Sequence, residues 1–219
     1  MSLENNDQIY DRQRDLYEVS APKFVCVVGV GGVGSWVALE LALAGARDIV
    51  LIDDDIVEAS NLNRTLFTTA QIGKSKVEAV AELILERRPY VNVMPFQCRT
   101  DNMPQYLKET LSGYLVFDCR DSIEPLDLPG TDPCEITGGY DGTSVTVHAN
   151  PVLESVFGTR TVRYRVVPSY VGAPALLAAV IVNYACIEGM RTATECIVSF
   201  EIEDLLNILV KGARINNGE

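Results

Sequence analysis

Four glycines, Gly29, Gly31, Gly32 and Gly34, fall in the stretch GVGGVG, between an apolar run and a helix-forming one. Backbone without Cβ atoms can come close to a ligand. Where such a turn opens a helix, its N–H groups point outward and the helix dipole favours an anion. Gly29, Gly31 and Gly34 satisfy G-x-G-x-x-G. Asp53 closes the next apolar run, placed for ribose hydroxyls. These residues read as a nucleotide site, without saying which nucleotide. A redox enzyme holding NAD and an enzyme splitting ATP can both open this way.

The residues further along separate the two. An NAD enzyme needs one acid here and little else. DDDIVEASNLNR adds Asp55, then Asn61, Asn63 and Arg64. IGKSKVEAV puts Lys76 near the start of a helix, and DCRDS supplies Asp118 and Asp121. Ligands of an open α/β sheet bind at the carboxyl ends of its strands. Asp53, Arg64, Lys76 and Asp121 are therefore expected to converge above the glycine turn. Two cations with extra carboxylates make poor sense for hydride transfer. They suit a triphosphate, where cations offset the charge on the phosphates and on the departing pyrophosphate and a carboxylate holds Mg²⁺. The redox reading also lacks an evident proton donor, since the single histidine, His148, lies outside these motifs.

The elements that must position these groups follow from periodicity. Phe24–Val28 is an apolar run of the kind found in buried parallel strands. A helix is expected over Ser35–Ala44 and a strand over Asp48–Asp53. Gly73–Arg88 carries Val77, Val80, Ala81, Ile84 and Leu85 at helical spacing. VNVMPFQ reads as a third strand, Pro104–Leu111 as a short helix and Tyr114–Cys119 as a fourth strand. This alternation predicts an α/β fold with a Rossmann-like doubly wound sheet. Ser122–Pro133 is broken by prolines and reads as a loop. Thr143–Ala149 and Thr159–Val167 alternate as half-exposed antiparallel strands do. An apolar helix from about Ala173 to Glu188 and a strand with a short helix from Cys196 complete the chain, whose last residues read as a frayed tail. The sheet is thus expected to be parallel in its N-terminal half, with antiparallel C-terminal strands. One domain is expected over residues 1–219, with an arm at 1–22, a nucleotide-binding half at 23–122 and a second half at 123–219.

Bulk properties exclude some function classes. The formal net charge is −12, opposite to what binding nucleic-acid phosphates requires. The N-terminus is charged and lacks the apolar core of a signal peptide, and no apolar run reaches membrane-spanning length. None of the six cysteines sits in a CxxC pair, so no structural zinc is expected. Cys26, Cys98 and Cys119 fall in or beside strand runs and read as small hydrophobes. Reduced thiols point to the cytoplasm.

The ordered set GVGGVGS, LIDDDIVEASNLNR, IGKSKVEA and FDCRDS resembles the ThiF/MoeB/HesA and ubiquitin-activating E1-like adenylyltransferase superfamily, over most of Gln8 to Gly189. The resemblance implies attack on the α-phosphate of ATP by a carboxylate, usually the C-terminal glycine of a ubiquitin-like sulfur carrier or modifier. The products are an acyl-adenylate and pyrophosphate. By the same resemblance Gly29, Gly31, Gly32 and Gly34 form the glycine loop. Asp53 holds the ribose with Asp55 close by, Asn61, Arg64 and Lys76 contact phosphates, and Asp121 is linked to Mg²⁺. YDRQ matches an N-terminal motif whose arginine, here Arg12, reaches the ATP site of a neighbouring protomer. That implies a homodimer. The second half would then form the acceptor side, with the glycines of ITGGYDGT flanking an extended tail or serving packing alone.

The chain also departs from the pattern. Thr65 follows Arg64 where the family commonly has glutamine. Asp121 is followed by Ser122, and SIEPLDLPGTDP replaces a helix that carries an arginine. The stretch from Asn150 to Pro168 lacks the cysteine that many members use for a thioester. Cys134 and Cys186 are the substitutes to consider, and neither has an electropositive sequence context. A compact enzyme that stops at the adenylate fits best. Other expectations remain: a small-molecule or tRNA-linked carboxylate, a non-catalytic scaffold paired with another chain, or an NAD-dependent oxidoreductase.

Overall fold

Alternation in β1 (Phe24–Val28) sends Val25 and Val27 to one face of a sheet and Cys26 and Val28 to the other. Both sets are buried, as a central parallel strand requires. The structure, a computed structural model, describes residues 9–13, 15–16, 18–121, 126, 136–141, 144–149, 169–187, 196–204 and 207. Within them, β2 (Asp48–Ile52), β3 (Asn92–Phe96), β4 (Leu115–Asp118), β5 (Ile136–Asp141), β6 (Ser144–Ala149) and β7 (Cys196–Glu201) join β1 in one sheet of order β3-β2-β1-β4-β5-β6-β7. β1 to β5 pair in parallel. β6 pairs antiparallel to β5, and β7 antiparallel to β6. Pro95 in β3 is tolerated because β3 is an edge strand, bonded to β2 alone.

Helices cover both faces, as doubly wound folds demand. On one side lie α1 (Gly34–Ala44), α2 (Lys76–Arg87) and α4 (Gly172–Cys186), whose Val37, Leu41, Val80, Ile84, Leu177 and Ile181 share a core with Val25, Leu51 and Phe117. The other side is closed by the short α3 (Gln105–Thr110), with Met103, Leu107 and Leu111 against Cys26, Val50 and Val116. α2 buries Val77, Val80, Ala81 and Ile84, while Leu85, expected on that face, is exposed. Ile84 fills the buried place on the last turn, and Leu85, one position on, falls at the edge of that face.

ITGGYD, whose glycines left a channel flank and packing alone both open, is strand β5. Glycine weakens a strand, but β5 has a partner on each side, and ladder bonds outweigh local preference there. The expected strand at Thr159–Val167, the loop at Ser122–Pro133, the C-terminal tail and Cys134 lie outside the described residues. His148 lies in β6, in register with Thr137 and Ile197.

Two glycines of the turn are fixed by packing. Gly29 has φ +81°, and a Cβ there would lie 2.8 Å from Arg120 N. A Cβ on Gly34 would lie 1.8 Å from the Gly29 carbonyl oxygen. Gly31 differs, with nothing within 4 Å of such an atom. Gly34→Ala is therefore expected to lower stability by about 1–3 kcal/mol through overpacking, and Gly31→Ala by less than about 1 kcal/mol. Thermal unfolding of the two variants checks this, and equal melting temperatures would refute it.

α1 carries one ionisable side chain, Glu40, whose burial pushes its carboxyl up to about 7. The unfolded value is near 4.3. Between these values the folded chain binds more protons, so Glu40 contributes stability at low pH that is lost as pH rises through about 7. Glu40→Gln should gain melting temperature over the parent between pH 5 and pH 8. A difference that stays constant across that range would count against the buried acid.

Candidate functional site

The site is built at the carboxyl ends of β1, β2 and β4. β1 ends at Val28 and the chain turns at once through Gly29 into α1. Among the described residues, no acceptor takes the backbone N–H of Gly31, Gly32 or Val33. Together with the open side of Gly31, these donors form a cradle for an anion at the start of α1. Gly32 has a different role from Gly31. A Cβ there would lie 2.9 Å from the Tyr140 hydroxyl and 3.6 Å from Arg64 Cδ, so its missing side chain makes room for protein.

Asp53 follows β2 directly. Its Oδ2 accepts the Val30 N–H at 2.7 Å and its Oδ1 the Asp55 N–H at 2.9 Å. The carboxylate thus ties the loop after β2 to the glycine turn. Burial raises its pKa, opposed by the two N–H bonds and by the charge on Lys76. Asp55 reaches Lys76 instead, with Oδ2 2.6 Å from Nζ. The Lys76 N–H also donates to the Asp55 carbonyl at 3.0 Å, which fixes the first residue of α2 over the end of β2. Asp53, Asp54 and Asp55 bring carboxylate oxygens within 4.8 Å of one another. Two of the three are engaged by the N–H groups and the ammonium just described, so the cluster is read as structure.

Arg64 lies beside Gly32. Its Nη1 donates to the Ser60 carbonyl at 2.6 Å and to Asn63 Oδ1 at 3.1 Å, and its own carbonyl accepts the Trp36 indole N–H at 3.1 Å. Asn61, buried, accepts the Glu58 N–H on Oδ1 and closes its own turn. Thr65, standing where family members commonly have glutamine, is buried and donates to the Asn61 carbonyl at 2.9 Å. Sequence reasoning nominated Asn61 for phosphate, and its side-chain oxygen serves the loop.

β4 delivers the last acids. Asp118 is buried and bound by Arg120 through Nε at 2.8 Å and Nη2 at 2.6 Å. That carboxylate is neutralised in place, a pairing the sequence reading missed, although an Asp and an Arg two residues apart at a strand end are its signal. Asp121 is exposed and, among the described residues, has no partner. Magnesium takes one or two carboxylates with phosphate oxygens, and Asp121 fits that donor set where Asp118 does not.

Arg12 is placed elsewhere. Gln13 Nε2 donates to the Ala44 carbonyl at 2.8 Å and the Tyr10 ring lies beside Gly45, so this part of the arm packs at the far end of α1. An eleven-residue helix separates it from the glycine turn, a length of about 16 Å. The remaining nominations, Gly29, Gly31, Gly32, Gly34, Asp53, Asp55, Asn61, Arg64, Lys76 and Asp121, all lie on the loops and helix starts above the sheet. The described thiols do not suit thioester chemistry. Burial raises the pKa of Cys26, Cys98 and Cys119, and Cys186 is buried in α4.

A model of the ThiF family matches residues 8–128. The chain is 39% identical to the tRNA threonylcarbamoyladenosine dehydratase of Escherichia coli K12 over 111 residues, 49% of this chain and 41% of that protein. It is 36% identical to the molybdopterin-synthase adenylyltransferase of Salmonella typhimurium LT2 over 101 residues, 45% of this chain and 40% of that one. The E. coli dehydratase in complex with AMP matches with a TM-score of 0.53 at 31% identity, over 64% of this chain and 64% of that one. PaaA, at 22% identity, matches in fold with a TM-score of 0.68 over 93% of this chain and 72% of its own. The chain spans about two fifths of the length of these two sequence relatives. The family match covers more than half of the 219 residues, and on that ground the chain belongs to the ThiF family.

Proposed function

We propose that the chain is an ATP- and Mg²⁺-dependent adenylyltransferase that activates a carboxylate. Its acceptor is the C-terminal glycine of a ubiquitin-like carrier or modifier, or of a peptide. The observation that carries this reading is the set of groups gathered above β1, β2 and β4: unpaired N–H donors, a ribose-type acid, two cations and an unpaired carboxylate. An acceptor carboxylate oxygen attacks the α-phosphorus, the bond from that phosphorus to the bridging oxygen breaks, and pyrophosphate leaves with the electron pair. Arg64 and Lys76 offset the charge developing on the leaving group, while the N–H groups at the start of α1 hold the phosphates. Asp121 would hold Mg²⁺, which when bound would supply further charge neutralisation at the phosphates.

The family assignment favours ATP over NAD, and the AMP complex of the E. coli relative agrees with an adenine nucleotide. That relative's name also favours a second reading, a carboxylate carried on a tRNA. The net charge of −12 opposes it. Arg12 lies too far from the glycine turn of its own chain, which supports a homodimer with sites shared in trans. The free described cysteines accord with a reducing cytoplasm. No helix among the described residues is long and apolar enough to cross a membrane.

Calorimetry with ATP·Mg²⁺ and with NAD tests the nucleotide. ATP should bind in a magnesium-dependent way, and Asp121→Ala should weaken that binding. The same variant should lower adenylation on the order of 100-fold and leave melting within about 0.5 kcal/mol of the parent, since the side chain is exposed. Binding of NAD alone would return the chain to the redox class, and binding of neither would favour a scaffold.

Sharing of sites has its own test. Arg12→Ala and Asp121→Ala chains should each be impaired, and mixed dimers of the two should recover part of the activity. Confirmed mixed dimers without recovery would exclude an arginine supplied in trans.

A further inference from the structure

Arg64 is held by a chain of polar contacts that begins in the other half of the protein. The Tyr140 hydroxyl, on β5, lies 2.8 Å from Ser169 Oγ just before α4. The Ser169 carbonyl accepts Asn63 Nδ2 at 2.8 Å, across 106 positions of sequence. Asn63 Oδ1 in turn accepts Arg64 Nη1 at 3.1 Å. Among the described residues, Nε and Nη2 of Arg64 have no protein acceptor.

We infer that Tyr140, Ser169 and Asn63 form a strut from the acceptor-side half that orients the Arg64 guanidinium toward the glycine turn before nucleotide arrives. This rests on the adenylyltransferase reading and adds positioning residues to it. A free arginine side chain samples many rotamers, and a ligand must order it on binding. With Nη1 bonded twice, Arg64 is ordered beforehand and keeps the rest of its fork for phosphate oxygens. Both members of the Asn63 amide are used, the nitrogen toward Ser169 and the oxygen toward Arg64. A side chain with a single polar function could not make both contacts. Gly32 supports the same reading, because its missing Cβ leaves the space that the Tyr140 hydroxyl occupies. β5 and the start of α4 belong to the half where the acceptor is placed, so the strut joins the two substrates' sides through one arginine.

Binding of ATP and of adenosine to the full chain tests this, by direct calorimetry for ATP and by displacement for adenosine. Asn63 is exposed and Tyr140→Phe keeps the ring, so both variants should fold. Asn63→Ala should weaken ATP about tenfold, and Tyr140→Phe about threefold, each the scale of one lost hydrogen bond. Adenosine, without phosphates, should bind all three proteins alike. The double variant should lose little beyond Asn63→Ala, because both changes cut one chain of contacts. ATP affinity unchanged in Asn63→Ala, or ATP and adenosine weakened equally, would overturn the strut and leave the adenylation reading standing. A parent that binds adenosine but gains nothing from the phosphates of ATP would sink that reading itself, and the strut with it.

Discussion

The close approach of three backbone segments governs the rest of the structure. Gly34 sits against the carbonyl of Gly29, and Gly29 sits against Cys119 and Arg120 at the end of β4. No side chain fits between them. The first helix must therefore start immediately above the first strand, with the fourth strand pressed alongside. That placement leaves N–H donors of the turn without acceptors and brings Asp121 to the same rim. The binding cradle and its candidate metal ligand are consequences of one packing constraint, which also explains why Gly29 and Gly34 are intolerant positions quite apart from any ligand. Of the four glycines, only Gly31 opens onto free space.

The two halves are joined differently. The nucleotide half is closed by contacts local in sequence or running between consecutive elements: Asp53 to Val30, Asp55 to Lys76, Asp118 to Arg120. The second half adds β5, β6 and β7 to the sheet edge and lays α4 beside α1. Its polar links to the site are few and long in sequence, through Tyr140, Ser169 and Asn63. Among the described residues, the polar groups gathered above β1, β2 and β4 thus come from the first half, and this chain of contacts ties them to the second.

This division also explains what could be read from the sequence. The four parallel strands and three helices of the first half were legible because apolar periodicity and the glycine turn report local structure directly. Leu85 was misplaced because periodicity names a face and cannot choose between neighbours on it. β5 was missed because its glycines carry no strand signal, and its pairing with β4 and β6 is a tertiary fact. The nomination of Gly29, Asp53, Arg64 and Lys76 rests on their order along the chain. The Asn61 oxygen, spent on its own turn, and the Tyr140 hydroxyl, placed against Gly32, depend on contacts that spacing alone does not encode.

An acidic protein proposed to bind an acidic ligand must keep its cations where they are needed. With a net charge of −12, an unpaired lysine would be drawn toward whichever carboxylate lay nearest. Here the competition is settled locally. Lys76 is largely buried and paired with Asp55, whose side chain is 66% exposed. An ion pair with so exposed a partner contributes at most about 1 kcal/mol. A phosphate bearing more charge can displace Asp55 at little cost, or share the ammonium with it. Arg120 is the opposite case, fixed on a buried Asp118 by two short bonds. Removing the Arg120 side chain would strand the buried Asp118 carboxylate, which costs about 3–5 kcal/mol. For the proposed ligand, the weak pair is therefore the one able to exchange partners, and the strong pair is the one that holds the end of β4 in place.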